Sequence, residues 1–443
     1  MRVRWKRAAG CLAFIYGLFS LYAAYVVFIQ GHRGSRAAAA RERRRGGSLV
    51  WQNEEEQRDL QRWQEEEEWN PWEEQEKVDN TLQRGSELQG FQKKVVQISP
   101  RNKIIQIWGK AAIGLYLWQH ILGGPLMPSD VTAGWREGEL KAGNLYFRFF
   151  TGPAVVPGHI SLDTGNLVLV LNGREEGKIK FATQWLHYVQ TLHQTHKLNH
   201  TALVLLGSEE CDNGWIEPYL RKHEGFIDLI FLVYDSPWIN EVDVYQWPLG
   251  VATYRNFPIM DLNNLMLHAP RPYLCNFLGT VYKGSSRETL LDILKQERLS
   301  ATCLISTREH WLPQETNDSL KKYQDALLQS DLTLCPVGIN TECYRIYEAC
   351  ACGSVPVVED IMTPGQCGNS SISQNAPLRL LKSMGAPFIF VKDWRELPAI
   401  LEKEKTMSLQ EKNQRRRIVT EWFYQFRTQL RKKFVDILEN RFF

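Results

Sequence analysis

The chain has very little net charge for its length: 443 residues carry 53 lysines and arginines against 50 aspartates and glutamates, a balance of +3. That balance points to neither a nucleic-acid binder nor a strongly acidic surface. No Asp-x-Asp sequence occurs, which counts against an enzyme that holds a diphosphate through an aspartate-bound divalent metal. Cysteine is sparse, at nine residues, and Cys350-Ala-Cys352 does not have zinc-ligand spacing, so no metal finger is expected. Long apolar runs are scarcer still, but Ala8 to Ile29 holds no charged side chain.

A helix crossing a bilayer needs about 20 apolar residues, and Ala8 to Ile29 supplies them. One uncleaved span over 8–29 is expected, behind a short tail at 1–7. A cleaved signal peptide is the competing reading, although its apolar core is usually only about 7–15 residues. Basic residues flank the stretch on both sides, so the positive-inside rule does not orient it. Asn199, Asn317 and Asn369 each open an N-x-[ST] sequon, the acceptor for glycosylation in the secretory lumen, and this favours a lumenal body. There, the eight cysteines beyond the span could form up to four disulfides, the alternative being several buried free thiols.

Residues 30–100 shift to Arg, Glu, Gln and Trp, too polar for a core, and read as a stem. Its tryptophans make local contacts or pack on a partner chain. From 101 to 265, strand-like runs (Ile104 to Trp108, Asn166 to Leu171, Ala202 to Leu206, Ile227 to Tyr234) alternate with helix-like ones at Phe181 to Leu192 and Trp215 to His223. Extra strands or long loops are expected between Gly123 and Gly165. From 266 to 405 the alternation restarts, with strands near Tyr273–Thr280, Ala301–Ser306, Leu332–Cys335, Val355–Glu359 and Phe388–Val391. Two doubly wound α/β lobes are predicted, binding ligands at the carboxyl ends of their strands. Over 406–443 an apolar stripe at Ile418, Trp422, Phe426, Leu430, Phe434 and Ile437 predicts a helix packed across both lobes, with Arg415, Arg416 and Arg417 on a solvated face.

The segment DLTLCPVGINTECYRIYEACACGSVPVVED, 331–360, reads as strand, glycine loop, helix and buried strand. Thr341 is placed to cap the helix and Gly353 to end it. Arg345 and Glu348, three apart, share a face near a helix N-terminus that favours a diphosphate. Arg345 could pair with phosphate and Glu348 accept from ribose hydroxyls; alternatively the two form an intrahelical ion pair.

The order Cys335-Pro336-x-Gly338, then Arg345-x-x-Glu348-Ala349, then Gly353, Pro356 and Asp360 resembles the nucleotide-sugar half of the exostosin-type glycosyltransferases. A second block from Arg271, with Gly279 and Arg287 at matching places, is similar to the opening of the same domain. Two departures stand out. The family often has Ser where this chain has Cys343, and Cys where it has Ser354. The second catalytic domain of the family's large polymerases has no counterpart, so a single sugar addition is expected.

The resemblance extends to the family's members in the α-dystroglycan O-mannosyl glycan pathway, covering anchor, stem and body. It implies a GT-B-like fold, UDP-xylose as donor, and inverting transfer to a ribitol-5-phosphate unit of that protein-bound glycan. It further implies a single-pass type II Golgi membrane protein with a lumenal body, in reach of neighbouring glycosyltransferases of the same pathway, with no nucleic-acid partner. No cofactor or structural metal is expected. Two alternatives stay open: an exostosin-type glucuronyl- or N-acetylglucosaminyltransferase of glycosaminoglycan synthesis, and a non-catalytic Golgi scaffold.

Such a transfer needs a stabilised diphosphate leaving group and a base for the acceptor hydroxyl. The expected donor contacts are Gly279, Lys283, Arg287, Gly338, Arg345 and Glu348. Carboxylates after strands of the first lobe, Asp235 and Glu209, are the candidate bases. Arg174, beside a strand end, is the candidate contact to acceptor phosphate, with a merely solvated cation as the alternative.

Overall fold

A computed structural model describes residues 103–127, 135–158, 162–261, 265–296, 299–309, 316–363, 365, 367 and 376–443. The expected tail, span and stem lie outside these residues, as does the sequon at Asn369. Among the described residues no helix is long and apolar enough to cross a membrane.

The first lobe is built on a seven-stranded sheet in the order β2-β3-β1-β4-β5-β6-β7. Its strands are β1 (Lys103–Gly109), β2 (Arg136–Ala142), β3 (Leu145–Thr151), β4 (Asn166–Asn172), β5 (His200–Leu206), β6 (Leu229–Val233) and β7 (Val244–Trp247). All neighbours are parallel except the β2–β3 hairpin, which supplies the extra strands expected before Gly165. Along β4, Val168 and Val170 enter one core cluster while Leu167, Leu169 and Leu171 enter another. Both faces are therefore covered, as β-branched runs without polar alternation require. Helix α2 (Glu176–Gln194) buries Ala182, Trp185, Leu186 and Val189 on the second of these faces. The predicted helix over Trp215 to His223 is instead two short 3-10 turns, because Pro218 cannot donate within an α-helix. Before β2, α1 (Ile113–Leu115) runs on as a π-helical stretch, Tyr116–Ile121.

The second lobe carries a five-stranded sheet in the order β12-β11-β10-β8-β9, with every pairing parallel. These strands are β8 (Tyr273–Thr280), β9 (Cys303–Arg308), β10 (Ser330–Cys335), β11 (Val355–Glu359) and β12 (Ile389–Val391). Between them run α3 (Ser286–Gln296), α4 (Asn317–Leu328), α5 (Tyr344–Ala351) and α6 (Arg379–Ser383). The Ser354 departure has a role here: its hydroxyl meets Thr333 Oγ1 at 2.7 Å, which in turn accepts from the buried Asn276 amide at 2.9 Å.

After α7 (Leu397–Thr406), α8 (Leu409–Phe442) closes the chain with a Ser408–Glu411 capping box. It serves both lobes. Trp422 meets Phe388 of the second lobe edge-on, while Phe434 packs against Phe147, Phe231 and Trp247 of the first. Phe434, fully buried, contributes about 1.5–3 kcal/mol. Of the basic run at the start of α8, Arg417 is exposed, but Arg415 and Arg416 are not on a solvated face. Arg416 is only 2% exposed and bonds Asp331, 3% exposed, at 2.5 Å, and Arg415 bonds the buried Glu404 at 2.6 Å.

Two disulfides form among the described cysteines, and four thiols stay free. Cys275–Cys303 staples β8 to β9. Cys211–Cys367 joins the loop after β5 to the loop after β11, so the two lobes are covalently tied.

Candidate active site

The carboxyl end of β8 organises the site. Arg345, in the first turn of α5, donates from Nη2 to the Leu278 carbonyl at 2.9 Å and stacks its guanidinium over Phe277. Arg287, in the first turn of α3, donates to the Thr280 carbonyl at 3.0 Å. The Nε of each arginine is buried without a hydrogen-bond partner.

Glycine makes room for both. A Cβ on Gly279 would lie 2.8 Å from Arg345 Nη2, and one on Gly338 would lie 2.8 Å from Arg287 Nη2. Lys283 is exposed in the loop before α3 and does not border the cleft described below. Nor does Thr341 cap α5. Its hydroxyl donates to the Ile361 carbonyl, and Cys343 is the N-cap residue.

Glu348 is buried and does not pair with Arg345. It accepts from the Tyr323 hydroxyl at 2.5 Å and from the Ala252 backbone N–H at 3.0 Å. Burial raises its pKa, against the two hydrogen bonds and the nearby arginines. These residues border a cleft of about 320 Å³ between the strand ends and the crossover segment Ala252–Phe257, with Arg255, Arg308 and Lys322 also on its walls. Five cationic side chains thus face one carboxylate, a field suited to an anionic ligand with a sugar-like hydroxyl pair.

Sequence reasoning missed Glu342. Buried in the loop before α5, it accepts from the Leu249 N–H at 2.8 Å and from the Tyr347 hydroxyl. Glu342 and Glu348 together hold the backbone where the chain passes between lobes. No local pattern marks this, since the partners lie 93 and 96 residues away.

The first-lobe candidates have other partners. Arg174 and Glu209, expected in separate roles, bond each other at 2.6 Å and are 6% and 11% exposed. Asp235 accepts from the Gln246 side-chain amide and from the Arg379 N–H at 3.2 Å. Neither carboxylate lines the cleft, because Asn340 and Arg379 of the second lobe pack onto the strand ends that carry them. Asp235, Glu209 and Arg174 thus have partners away from this cleft. Asn199 and Asn317 are exposed, the first in the turn before β5 and the second at the start of α4.

Residues 105–248 match the RXYLT1 N-terminal domain, and residues 254–443 match the RXYLT1 C-terminal domain. The chain belongs to the RXYLT1 family. The full chain is 58% identical over 446 residues to ribitol-5-phosphate xylosyltransferase 1 of Homo sapiens, covering 99% of that protein. It is 52% identical over 445 residues to the protein of the same name from Danio rerio, again over 100% of this chain and 99% of the relative. Among solved structures, an α,α-trehalose-phosphate synthase (UDP-forming) from Burkholderia vietnamiensis covers 77% of this RXYLT1-family chain and 99% of its own at 10% identity, with a TM-score of 0.40. The catalytic domain of starch synthase IV from Arabidopsis thaliana, bound to ADP and acarbose, covers 75% of this chain and 99% of its own at 10% identity, with a TM-score of 0.38. Both of these structural likenesses are slight.

Proposed function

We propose that this chain transfers xylose from UDP-xylose to a ribitol-5-phosphate unit of a glycan carried by α-dystroglycan. The observation that carries the donor half is the pairing of Arg287 and Arg345 at the carboxyl end of β8, with Glu348 further along the same helix as Arg345. The two guanidiniums meet the diphosphate, whose charge grows as the glycosidic bond to UDP breaks. Glu348 accepts from the ribose hydroxyls, its carboxylate oriented in advance by Tyr323 and Ala252. Family membership supports the sugar and the acceptor, since the relatives are named for that transfer.

In this reading the two parallel lobes are a GT-B-like pair, no metal or other cofactor takes part, and the acceptor hydroxyl attacks the anomeric carbon directly, inverting it. The apolar stretch Ala8 to Ile29 and the sequons at Asn199, Asn317 and Asn369 support a type II Golgi membrane protein with a lumenal body, near other glycosyltransferases of its pathway.

The test is to incubate the detergent-solubilised full chain with a panel of UDP-sugars and a ribitol-phosphate acceptor and to follow acceptor mass. A pentose gain from UDP-xylose, lost in Arg345→Ala, is expected. Incorporation only from UDP-glucuronate or UDP-N-acetylglucosamine would overturn the named donor, and no turnover with any donor would leave a scaffold.

A further inference from the structure

The stretch that resembles the exostosin-type enzymes ends on two acidic residues, Glu359 and Asp360, and their surroundings differ. Asp360 pairs with Lys382 at 2.6 Å and Lys392 at 2.8 Å. Glu359, the last residue of β11, is 5% exposed and meets two neutral donors instead. Its Oε2 accepts from the Val337 N–H at 2.8 Å, and both of its oxygens are within hydrogen-bonding reach of the Ser286 hydroxyl. A buried carboxyl group and its donors are each costly to leave unpaired, so this junction is held together.

The two donors stand one residue before a pair that meets at the cleft. Ser286 precedes Arg287, and Val337 precedes Gly338, whose missing side chain leaves room for Arg287 Nη2. In the sheet β10 lies between β11 and β8, so no backbone ladder links β11 to the segment leading from β8 into α3. Glu359 makes that link with a side chain, reaching past the end of β10. The other anchors of the Arg287 guanidinium lie on the β8 side: the Thr280 carbonyl at 3.0 Å and the Tyr282 ring, 5.8 Å away at its centroid. They hold it against β8, whereas Glu359 ties the start of α3 to the loop after β10.

We propose that Glu359 is a positioning residue for nucleotide binding: by holding Ser286 and Val337 it sets Arg287 against the Gly338 loop, where the guanidinium borders the cleft. Glu359 is not on the cleft wall itself, so it acts through Arg287. Its effect on binding rests on the donor role of Arg287 given above.

The experiment titrates the detergent-solubilised full chain with UDP by calorimetry, reading dissociation constant and stoichiometry separately. Glu359→Ala should raise the Kd about tenfold. Glu359→Gln, whose amide can accept from Val337 and donate to Ser286, should recover it to within about threefold of the parent. Ser286→Ala removes one tie and leaves the Val337 bond; it should raise the Kd at least about threefold, and it stands in if Glu359→Ala does not fold. Arg287→Gln should weaken binding as well. Adding Glu359→Ala or Ser286→Ala to it should then cost little more, because nothing is left to position.

A merely structural role lowers the stoichiometry through an unfolded fraction and leaves the Kd of the Glu359 and Ser286 variants at the parent's value. That outcome overturns the positioning role, as do effects that add fully to those of Arg287→Gln, or a Glu359→Gln variant that binds as weakly as Glu359→Ala. Arg287→Gln binding UDP as tightly as the parent is a separate failure: it removes Arg287 from the diphosphate site, and the positioning role falls with it.

Discussion

Gly279 and Arg345 occupy one space: the guanidinium that donates to the Leu278 carbonyl stands where a side chain at position 279 would begin. The clash falls on the far end of a flexible side chain, so Gly279→Ala can be relieved by swinging Arg345 away. Folding stability should therefore fall by only about 1 kcal/mol, the worth of one hydrogen bond. Donor binding should fall about tenfold, because a displaced guanidinium loses its charge-assisted contact with phosphate. Titration calorimetry with UDP alongside thermal melting checks this, and unchanged UDP affinity would remove Arg345 from the diphosphate site.

Glu348 has a structural and a binding role that two substitutions separate. Glu348→Ala strands the buried Ala252 N–H and Tyr323 hydroxyl and should destabilise the fold by about 2–3 kcal/mol. Glu348→Gln keeps an acceptor for Ala252 and removes the charge, so stability should stay within about 1 kcal/mol while UDP affinity drops about tenfold. Equal UDP affinity in Glu348→Gln and the parent would exclude the ribose role.

Burial raises the Glu342 pKa to about 7, against the hydrogen bonds from Leu249 and Tyr347. The folded state then binds more protons than the unfolded chain between the ordinary glutamate value and about 7, so stability is lost as pH rises through that window. In Glu342→Gln this loss is absent. Urea denaturation at pH 5 and pH 8 should show the variant gaining on the parent by up to about 3 kcal/mol between the two. Parallel pH dependence in both proteins would mean that Glu342 does not titrate there.

Arg174 and Glu209 form a nearly buried pair, so removing either partner leaves a charge without its counterpart. Arg174→Gln and Glu209→Gln should each cost about 3 kcal/mol, and the double variant should cost less than the sum by at least about 1 kcal/mol. Strict additivity in a denaturation cycle would show that the pair is not coupled. A selective rise in acceptor KM for Arg174→Gln, with stability unchanged, would support the acceptor role.

Local pattern was enough for the elements around the cleft. The largely apolar run Tyr273–Thr280 and the β-branched run Val355–Glu359 are strands over those same residues. Gly353, at φ +68°, ends α5 where a left-handed residue is needed. Arg345 and Glu348 reach the same cleft from one helix, because three-residue spacing puts them on one face. All of this depends on neighbours within about one helical turn or strand repeat, which a linear sequence contains.

What the tertiary structure decided is which partner each charge and thiol meets. Arg416 is drawn into the core by Asp331, 85 residues away; Asp235 is claimed by Arg379, 144 away; Cys211 finds Cys367, 156 away. A carboxylate after a strand looks alike in sequence whether it faces a substrate or another lobe. Only the packing of one lobe's loops onto the other's strand ends distinguishes the two cases, because burying a charge is costly unless a partner is already there.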